Sequence, residues 1–344
     1  MARPHRLGFA VTEGDREAGL DPHRRWLLGG LATLPFLPAA GRPARAETFA
    51  AFLAEMRDLA LARGIANATI DAAFAGLGAD SDVIALDRRQ PEGRMTFRTY
   101  RDRVVSRARI DGARRNYAAH AALLEEIGAA FDVSPRILVA LWGIESSFGR
   151  VTGNHAVVRS LATLAHDGRR RDLFTRELLA ALEIIDRTPL QPADLFGSWA
   201  GAMGQAQFMP TTYLDHAIDL DGDGWADIWH SQPDVFASMA NYLRNIGWNG
   251  AYRWGREVRR PGGFAGLPTG RDDKRPLEFW EAAGLRRADG GPLPMAPIDA
   301  GLILTDDGAG PAYLVYANFD VLMQWNRSTW FALSVGLLSD TIST

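Results

Sequence analysis

Apolar residues recur at the spacing of α-helices through most of the chain between Glu47 and Gly247. The stretches ETFAAFLAEMRDLALARG and NYAAHAALLEEIGAAFDV place large apolar side chains every three or four positions. That period puts them on one side of each helix, where they must be buried against other helices. With 344 residues, 47% of them hydrophobic, the chain can form a large core of this kind.

The pattern changes between residues 255 and 311, where turn-rich segments such as RRPGGFAGLPTGRDDKRP surround short apolar runs such as LIL. Farther on, AYLVYANF predicts a strand, and DVLMQWNRSTWFALSVGLL predicts a single closing helix. We therefore predict a mainly α (α+β) protein. Residues 47–254 and 312–344 would form a helical catalytic domain, and residues 255–311 would form a small subdomain of strands and loops.

The first 46 residues have the features of an export signal. The pair Arg24-Arg25 precedes the apolar stretch WLLGGLATLPFLPAA, and the segment ends in Ala-Arg-Ala at Ala46. The apolar stretch is shorter than the roughly 20 residues that a membrane-spanning helix needs. We predict a signal peptide over residues 1–46, and the paired arginines leave twin-arginine export open. The alternative is an uncleaved, buried helix.

Two features of composition exclude whole classes of function. The chain contains no cysteine, which excludes disulfides, thiolate nucleophiles, cysteine zinc sites and a lipid-bearing N-terminal cysteine. Its net charge is −3, so it offers no general basic surface for nucleic acids.

A carboxylate lies among apolar residues in the segment SPRILVALWGIESSFG. Ser134 and Pro135 predict the start of a helix, because serine caps the first turn and proline suits the first helical position. Gly149 predicts its end. Helical spacing places Glu145 on one face with three apolar residues, Leu138, Leu141 and Phe148.

Partial burial on such a face favours the protonated form of Glu145. A carboxyl group that stays protonated near neutral pH can act as a general acid. The alternative is a structural role, in which Glu145 pairs with Arg150 or Arg159 or bonds to the neighbouring backbone.

The segment GSWAGAMGQAQFMPTTY, residues 197–213, is rich in small residues that permit close backbone approach. Ser198, Gln205 and Gln207 offer neutral hydrogen-bonding groups beside aromatic residues such as Phe208. A carbohydrate needs such groups for its hydroxyls and aromatic faces for its apolar ring surfaces. The alternative is a tightly packed turn between helices, whose glutamines bond only to backbone groups.

The segment DLDGDGWADIW has the spacing of an EF-hand-like calcium loop. Position 12 is His230 instead of the usual glutamate, so a later carboxylate would have to complete the coordination shell. We predict a distorted structural Ca²⁺ site, and the alternative is an Asp/Gly turn whose charges repel. The predicted ligands are Asp219, Asp221, Asp223, Asp227, Asp234 and the carbonyl of Trp225.

These segments, in this order, resemble the lytic murein transglycosylase B family (glycoside hydrolase family 103). The resemblance covers roughly residues 49–338, and further segments that carry it are QPEGRMTFRTY, VFASMANYLRNIGW and NFDVLMQWNRSTWFALSVGLL. It implies a lysozyme-like helical fold with a groove for peptidoglycan glycan strands. It also implies cleavage of the β-1,4 bond between N-acetylmuramic acid and N-acetylglucosamine, with a 1,6-anhydro-muramoyl end as product. No cofactor is implied for the chemistry, beyond a structural Ca²⁺.

The resemblance also implies roles for individual residues. Glu145 falls on the family's catalytic glutamate, and Phe331 stands where the family often has a tyrosine. The implied substrate contacts are Ser198, Gln207, Asn326, Tyr100 and Phe208, to which the chemistry of the loop adds Gln205. The implied calcium ligands are Asp219, Asp221, Asp223, Asp234 and the Trp225 carbonyl.

Membrane-bound members of the family carry a lipid on an N-terminal cysteine, which this chain lacks, so the resemblance implies a soluble periplasmic form. We expect a monomer that acts on peptidoglycan, does not span the membrane and does not bind nucleic acid. Two other functions stay open. One is a muramidase that hydrolyses the same bond with water, and the other is a non-catalytic peptidoglycan-binding scaffold.

Overall fold

The structure is a computed structural model that describes residues 48–89, 95–262 and 266–342. Helices predominate in these residues, so the predicted mainly α (α+β) class is confirmed. The predicted signal peptide, residues 1–46, lies outside the described residues. Within them, no single helix is both long enough and apolar enough to cross a membrane. Two consecutive helices meet that test only as a pair, and they are bent by 112°.

Seven helices precede the segment that contains the first strand: α1 (Phe49–Ala62), α2 (Asn67–Phe74), α3 (Ser81–Arg88), α4 (Phe97–Val104), α5 (Arg107–Ala119), α6 (Ala121–Phe131) and α7 (Pro135–Ser146). The next four are α8 (Val157–Asp167), α9 (Arg171–Arg187), α10 (Pro210–His216) and α11 (Gln232–Asn245). The last three are α12 (Leu277–Ala282), α13 (Ala317–Trp325) and α14 (Thr329–Asp340). The bent pair is α6 and α7.

Local sequence explains where several helices begin. The side chains of Thr48, Asp80 and Ser106 each accept a hydrogen bond from a backbone N–H in the first turn of the helix that follows. The predicted helix in NYAAHAALLEEIGAAFDV is instead divided at His120, where α5 ends and α6 begins. The His120 ring packs edge-on against the rings of Trp142 and Phe236, so tertiary packing sets this break.

The strands of the described residues form two antiparallel sheets, one of two strands and one of five. Strands β1 (His155–Ala156) and β2 (Phe196–Gly197) form a short antiparallel ladder. The larger sheet has the order β4-β6-β7-β3-β5, and every neighbouring pair is antiparallel. Its strands are β3 (Gly255–Arg259), β4 (Gly270–Pro276), β5 (Arg286–Arg287), β6 (Asp299–Leu304) and β7 (Ala312–Val315).

The larger sheet has apolar side chains on both faces. Along β7, Tyr313 and Val315 belong to the main helical core, while Leu314 belongs to a smaller core that contains Trp280 of α12. This alternation follows from the two-residue period of a strand. Strand β7 lies within the predicted AYLVYANF strand and pairs with β3 and β6, so the sheet extends past the boundary we placed between residues 311 and 312.

The predicted closing helix is two helices. α13 ends at Trp325, Asn326 has extended backbone angles, and the Ser328 hydroxyl caps α14 by accepting a bond from the N–H of Phe331 at 3.3 Å. The periodic apolar pattern continues across the break, which is why it predicted one helix. Trp325, the last residue before the break, contacts Glu145 near the C-terminal end of α7.

The loop after β6 anchors helix α4. The Asp306 carboxylate accepts hydrogen bonds from the backbone N–H of Phe97 at 2.5 Å and of Arg98 at 3.4 Å, in the first turn of α4. A carboxylate is favourable there because the first N–H groups of a helix have no partner within it. This contact fixes the position of α4, which carries Tyr100.

Candidate active site

Glu145 lies in the last turn of α7 and is half-buried. The indole Nε1 of Trp325 donates a hydrogen bond of 2.6 Å to Glu145 Oε1, across 180 residues of sequence. On the same helix face, Leu138 and Leu141 are completely buried. The carboxyl group therefore stands at the border of the core and is held by a residue from α13.

A left-handed turn ends α7 directly after the site. Ser147 and Phe148 both have positive φ, and the Phe148 N–H donates to the carbonyl of Trp142 at 3.2 Å. The Phe148 ring folds back over Gly143 and Gly112, where an added Cβ would lie 2.6 and 2.7 Å from the ring. The helix thus ends three residues before the predicted stop at Gly149, because two glycines make room for the ring.

The indole of Trp325 has no exposed surface. Its ring lies 5.6 Å from that of Phe208 and 5.1 Å from that of Tyr242. Phe208 is itself completely buried, which corrects the prediction that it contacts sugar. Its ring supports Trp325 from within the core.

Tyr100 lies within electrostatic reach of Glu145. Burial raises the pKa of Tyr100, the charge of Glu145 raises it further, and Arg109 opposes the shift. The half-buried Tyr100 ring is 5.5 Å from that of Trp330 on α14. A partly exposed tyrosine and tryptophan near a carboxyl group can cover the apolar face of a sugar ring.

The loop that follows β2 is closed by its own backbone. The N–H of Ser198 donates to the Ala202 carbonyl at 2.8 Å, and the Ser198 hydroxyl accepts from the Ala202 N–H at 3.0 Å. Gln207, with φ of 50°, donates from Nε2 to the carbonyls of Thr152 and Gly204, both at 2.9 Å. The loop is thereby tied to the segment that follows α7. Ser198 and Gln207 are both half-buried.

Gln205 is 5% exposed, and its amide bonds within the protein. Oε1 accepts from Trp142 Nε1 at 2.8 Å, and Nε2 donates to the Trp229 carbonyl at 2.8 Å. Gly149 passes so close that an added Cβ would lie 2.3 Å from Gln205 Oε1. These contacts correct the prediction that Gln205 binds substrate, and they match the alternative of a packed turn.

Asn326 follows Trp325 directly and is half-buried. Its Oδ1 accepts from the N–H of Ser328 at 3.0 Å, and among the described residues its Nδ2 has no hydrogen-bond partner. Phe331 is buried in the main core and offers no polar group.

Three of the predicted calcium ligands lie together. One carboxylate oxygen from each of Asp219, Asp221 and Asp223 can be chosen so that all three lie within 4.8 Å of one another, and all three residues are exposed. Oxygen donors at this separation fit a hard cation such as Ca²⁺.

Two other predicted ligands, Asp234 and Asp227, accept hydrogen bonds from the backbone, and their role as calcium ligands stays a prediction. Asp234 is completely buried, and its two oxygens accept from the N–H groups of Leu220 at 2.7 Å and Asp227 at 2.8 Å. Burial raises the pKa of Asp234, and these backbone bonds oppose the shift. Asp227 caps the following turn, because its Oδ1 accepts from the N–H groups of Trp229 and His230, both at 2.9 Å. The Trp225 carbonyl stays a prediction.

Sequence reasoning missed Trp325, Trp330 and Arg109 as members of the site. The segment WNRSTW contained a signal for the break between the first two, because Ser328 is a good N-cap residue and predicts a helix start there. No local pattern marks Arg109.

Three comparisons with known proteins find similarity to one family of enzymes. Residues 48–340 match the family model described as the transglycosylase SLT domain. The chain is 34% identical over 219 residues to the membrane-bound lytic murein transglycosylase B of Escherichia coli (strain K12), an alignment that covers 62% of this chain and 58% of that protein. The chain thus matches less than two thirds of that relative's length.

Solved structures of two related enzymes are similar to this chain. SltB3 from Pseudomonas aeruginosa in complex with NAG-anhNAM-pentapeptide is 42% identical, with a TM-score of 0.81 over 86% of this chain and 79% of that one. The Escherichia coli lytic transglycosylase SLT35 in complex with calcium is 28% identical, with a TM-score of 0.72 over 84% of this chain and 92% of that one.

Proposed function

Because the chain belongs to the transglycosylase SLT domain family, the family of the lytic murein transglycosylase B, we propose that it is a peptidoglycan lytic transglycosylase. It cleaves the β-1,4 bond between N-acetylmuramic acid and N-acetylglucosamine and leaves a 1,6-anhydro-muramoyl end. The observation that carries the proposal is the half-buried Glu145 whose Oε1 accepts the Trp325 N–H at 2.6 Å. The complex of the related SltB3 with NAG-anhNAM-pentapeptide supports the nature of the product.

In the first step, the protonated Glu145 donates its proton to the glycosidic oxygen as the bond from that oxygen to C1 of the muramic sugar breaks. The N-acetylglucosamine side leaves as an alcohol. The N-acetyl group of the muramic sugar stabilises the positive charge that develops at C1, so the substrate supplies the second group that most glycosidases take from another carboxylate.

In the second step, the Glu145 carboxylate takes the proton from the 6-hydroxyl of the same sugar. The 6-oxygen bonds to C1, the anhydro ring closes, and Glu145 is protonated again for the next cycle. No water is consumed. General acid–base catalysis contributes roughly 10²–10⁴-fold, so orientation of the sugar and stabilisation of its charge must supply the rest.

The polar groups around Glu145 have distinct roles in this proposal. Ser198 and Asn326 contact the N-acetyl group or ring hydroxyls, because the Ser198 O–H and the Asn326 Nδ2 can still donate. Gln207 holds the loop and presents it to the sugar. Tyr100 covers an apolar ring face together with Trp330.

The decisive experiment is mass analysis of the products from purified peptidoglycan sacculi. A lytic transglycosylase releases muropeptides that are about one water lighter than the hydrolysed products, so anhydro ends support the proposal. Reducing ends would identify the hydrolytic muramidase instead, and intact sacculi would identify the non-catalytic scaffold.

The same assay tests the catalytic residue. Glu145→Gln keeps the shape of the side chain but cannot donate an acid proton, so we expect turnover to fall by at least about 10³-fold while the melting temperature stays close to native. Glu126→Gln, on the exposed surface of α6, is the matched control and should act normally. Near-normal activity of Glu145→Gln would exclude the proposed role.

We also propose that Asp219, Asp221 and Asp223 hold a structural Ca²⁺, with the Trp225 carbonyl as a further ligand. The grouping of three carboxylates and the calcium complex of the related SLT35 support this. The ion would offset the repulsion among the exposed aspartates and has no part in the chemistry.

The remaining parts of the proposal concern the setting of the enzyme. It is exported to the periplasm after removal of residues 1–46, acts there as a monomer on glycan strands, and consists of a helical catalytic domain and a small strand-rich subdomain. Peptidoglycan as the substrate of related enzymes supports the location.

A further inference from the structure

We propose that Trp325 is a positioning residue that fixes the Glu145 carboxyl group with its acid proton on Oε2. The inference rests on the proposed function, since it concerns the acid of that reaction. It starts from one contact, in which Trp325 Nε1 lies 2.6 Å from Glu145 Oε1.

The chemistry of the indole determines where the proton can be. An indole N–H donates a hydrogen bond and cannot accept one, whereas a tyrosine hydroxyl can do both. If Oε1 carried the acid proton, the carboxyl would lose its best acceptor position for that N–H. The donor-only partner therefore favours the form in which Oε1 is the carbonyl oxygen, and the proposal assigns to Oε2 the proton that goes to the glycosidic oxygen.

The indole can act as a fixed reference because its own position is fixed. It is completely buried between Phe208 of the small-residue loop and Tyr242 of α11. Phe208 is held in turn by two backbone hydrogen bonds to Met203, at 2.8 and 3.0 Å. The loop therefore holds the indole in place, and the indole in turn holds the carboxyl group. A small misplacement of a catalytic group can lower the rate by about 10²-fold.

The same bond favours the charged carboxylate that exists between the two steps, because a hydrogen bond to the ionised form stabilises it. Tyr100, Arg109 and Arg150 are titratable groups on this side among the described residues, since the pKa of Tyr100 responds to Glu145 and Arg109, and that of Arg109 to Arg150. Loss of the N–H removes a hydrogen bond that stabilises the Glu145 carboxylate, so the carboxyl group should keep its acid proton to higher pH. The alkaline limb of the plot of kcat against pH should therefore move to higher pH, while kcat at the optimum falls.

The test replaces the N–H and leaves the ring shape unchanged. Site-specific incorporation of 3-benzothienylalanine at position 325 substitutes sulfur for the N–H group, and Trp325→Phe serves as the genetic variant. The substrate is a soluble NAG-NAM tetrasaccharide that carries stem peptides. The matched control is Trp248→Phe, because Trp248 is also buried and its Nε1 has no hydrogen-bond partner among the described residues.

In both variants at position 325 we expect kcat to fall by about 10–100-fold and KM to stay within about twofold of the native value. The alkaline limb of the kcat profile should move to higher pH. Trp248→Phe should lower the melting temperature and leave both kinetic properties near native. The inference would be overturned if the benzothienyl protein had native kcat and an unmoved alkaline limb. The proposed function would survive that result, provided that the native chain still forms anhydro product. Failure of the native chain to cleave the substrate would overturn the proposed function and this inference together.

Discussion

Gln205 joins three parts of the molecule through a single amide. It accepts from Trp142 on α7, donates to the carbonyl of Trp229 at the end of the aspartate loop (residues 219–229), and receives a weaker bond from Gln232 at 3.3 Å. Both ends of the amide are used, and the site is buried, so each lost bond leaves a polar group without compensation from water. The amide is therefore a structural link between the acid-bearing helix and the loop beside it.

Gln205→Leu is expected to lower stability by about 2–4 kcal/mol, because it leaves the Trp142 N–H and the Trp229 carbonyl buried without that partner. In a protein of this size that corresponds to a fall in melting temperature of roughly 3–6 °C. Thermal unfolding by circular dichroism measures it, and Gln191→Leu, at an exposed position, should melt like the native protein. An unchanged melting temperature combined with a raised KM would restore Gln205 to the substrate-binding residues.

At the scale of single residues, sequence reasoning located the chemistry but not the direction of each side chain. Glu145 was recognisable because an acid on an apolar helix face is unusual. Gln205 and Gln207 differ by two positions and carry the same amide, yet one is buried against Trp142 and the other reaches Thr152. Their orientations follow from the backbone path of the loop, including a positive φ at Gln207, which no local pattern encodes.

At the scale of secondary-structure elements, the break between α13 and α14 creates part of the candidate site. Two hydrogen bonds to side chains stabilise the break: the Ser328 N–H donates to Asn326 Oδ1, and the Phe331 N–H donates to the Ser328 hydroxyl. The backbone N–H of the N-cap residue therefore holds Asn326, which has extended backbone angles, through its Oδ1.

Ser328→Ala is expected to cost about 1 kcal/mol through loss of the N-cap. It should also raise KM indirectly, because a frayed first turn of α14 leaves the Ser328 backbone N–H, which donates to Asn326 Oδ1, less firmly placed. Ser106→Ala removes the corresponding cap from α5, where the Ser106 hydroxyl accepts from the N–H of Arg109 at 3.4 Å. The two variants should lose similar stability in urea unfolding, and only Ser328→Ala should change KM for glycan strands. Equal kinetic effects would contradict a link between this cap and Asn326.

The type of most elements was predictable, and their boundaries were less so. Helix α1 and the start of α7 follow from apolar periodicity and capping residues. The breaks at His120 and Asn326 interrupt patterns that continue through them, because contacts with distant rings decide those breaks. Strand β7 was predicted from its apolar run, but its place in the larger sheet depends on two partners. These are β6, which directly precedes it, and β3, which lies far earlier in the sequence.

At the scale of the whole molecule, the aspartate loop lies between two helices of the main core. It follows α10 and precedes α11, α10 packs against α9, and α11 contacts α6, α7 and α13. The buried Asp234 connects the loop to α11 through the N–H groups of Leu220 and Asp227. Order in the loop is therefore coupled to the packing of the helix that carries Glu145, and an ion bound there should stabilise the entire fold.

Calcium is accordingly expected to raise the melting temperature of the whole protein. At a concentration 100 times the dissociation constant, binding to the folded state alone contributes about 2.7 kcal/mol, or roughly 4 °C. Differential scanning calorimetry with Ca²⁺ and with a chelator measures the shift. Asp223→Ala should abolish it, while Asp272→Ala, whose side chain is 86% exposed on β4, should keep it in full. If the native protein melts at one temperature with and without the ion, the three aspartates form a turn and not a calcium site.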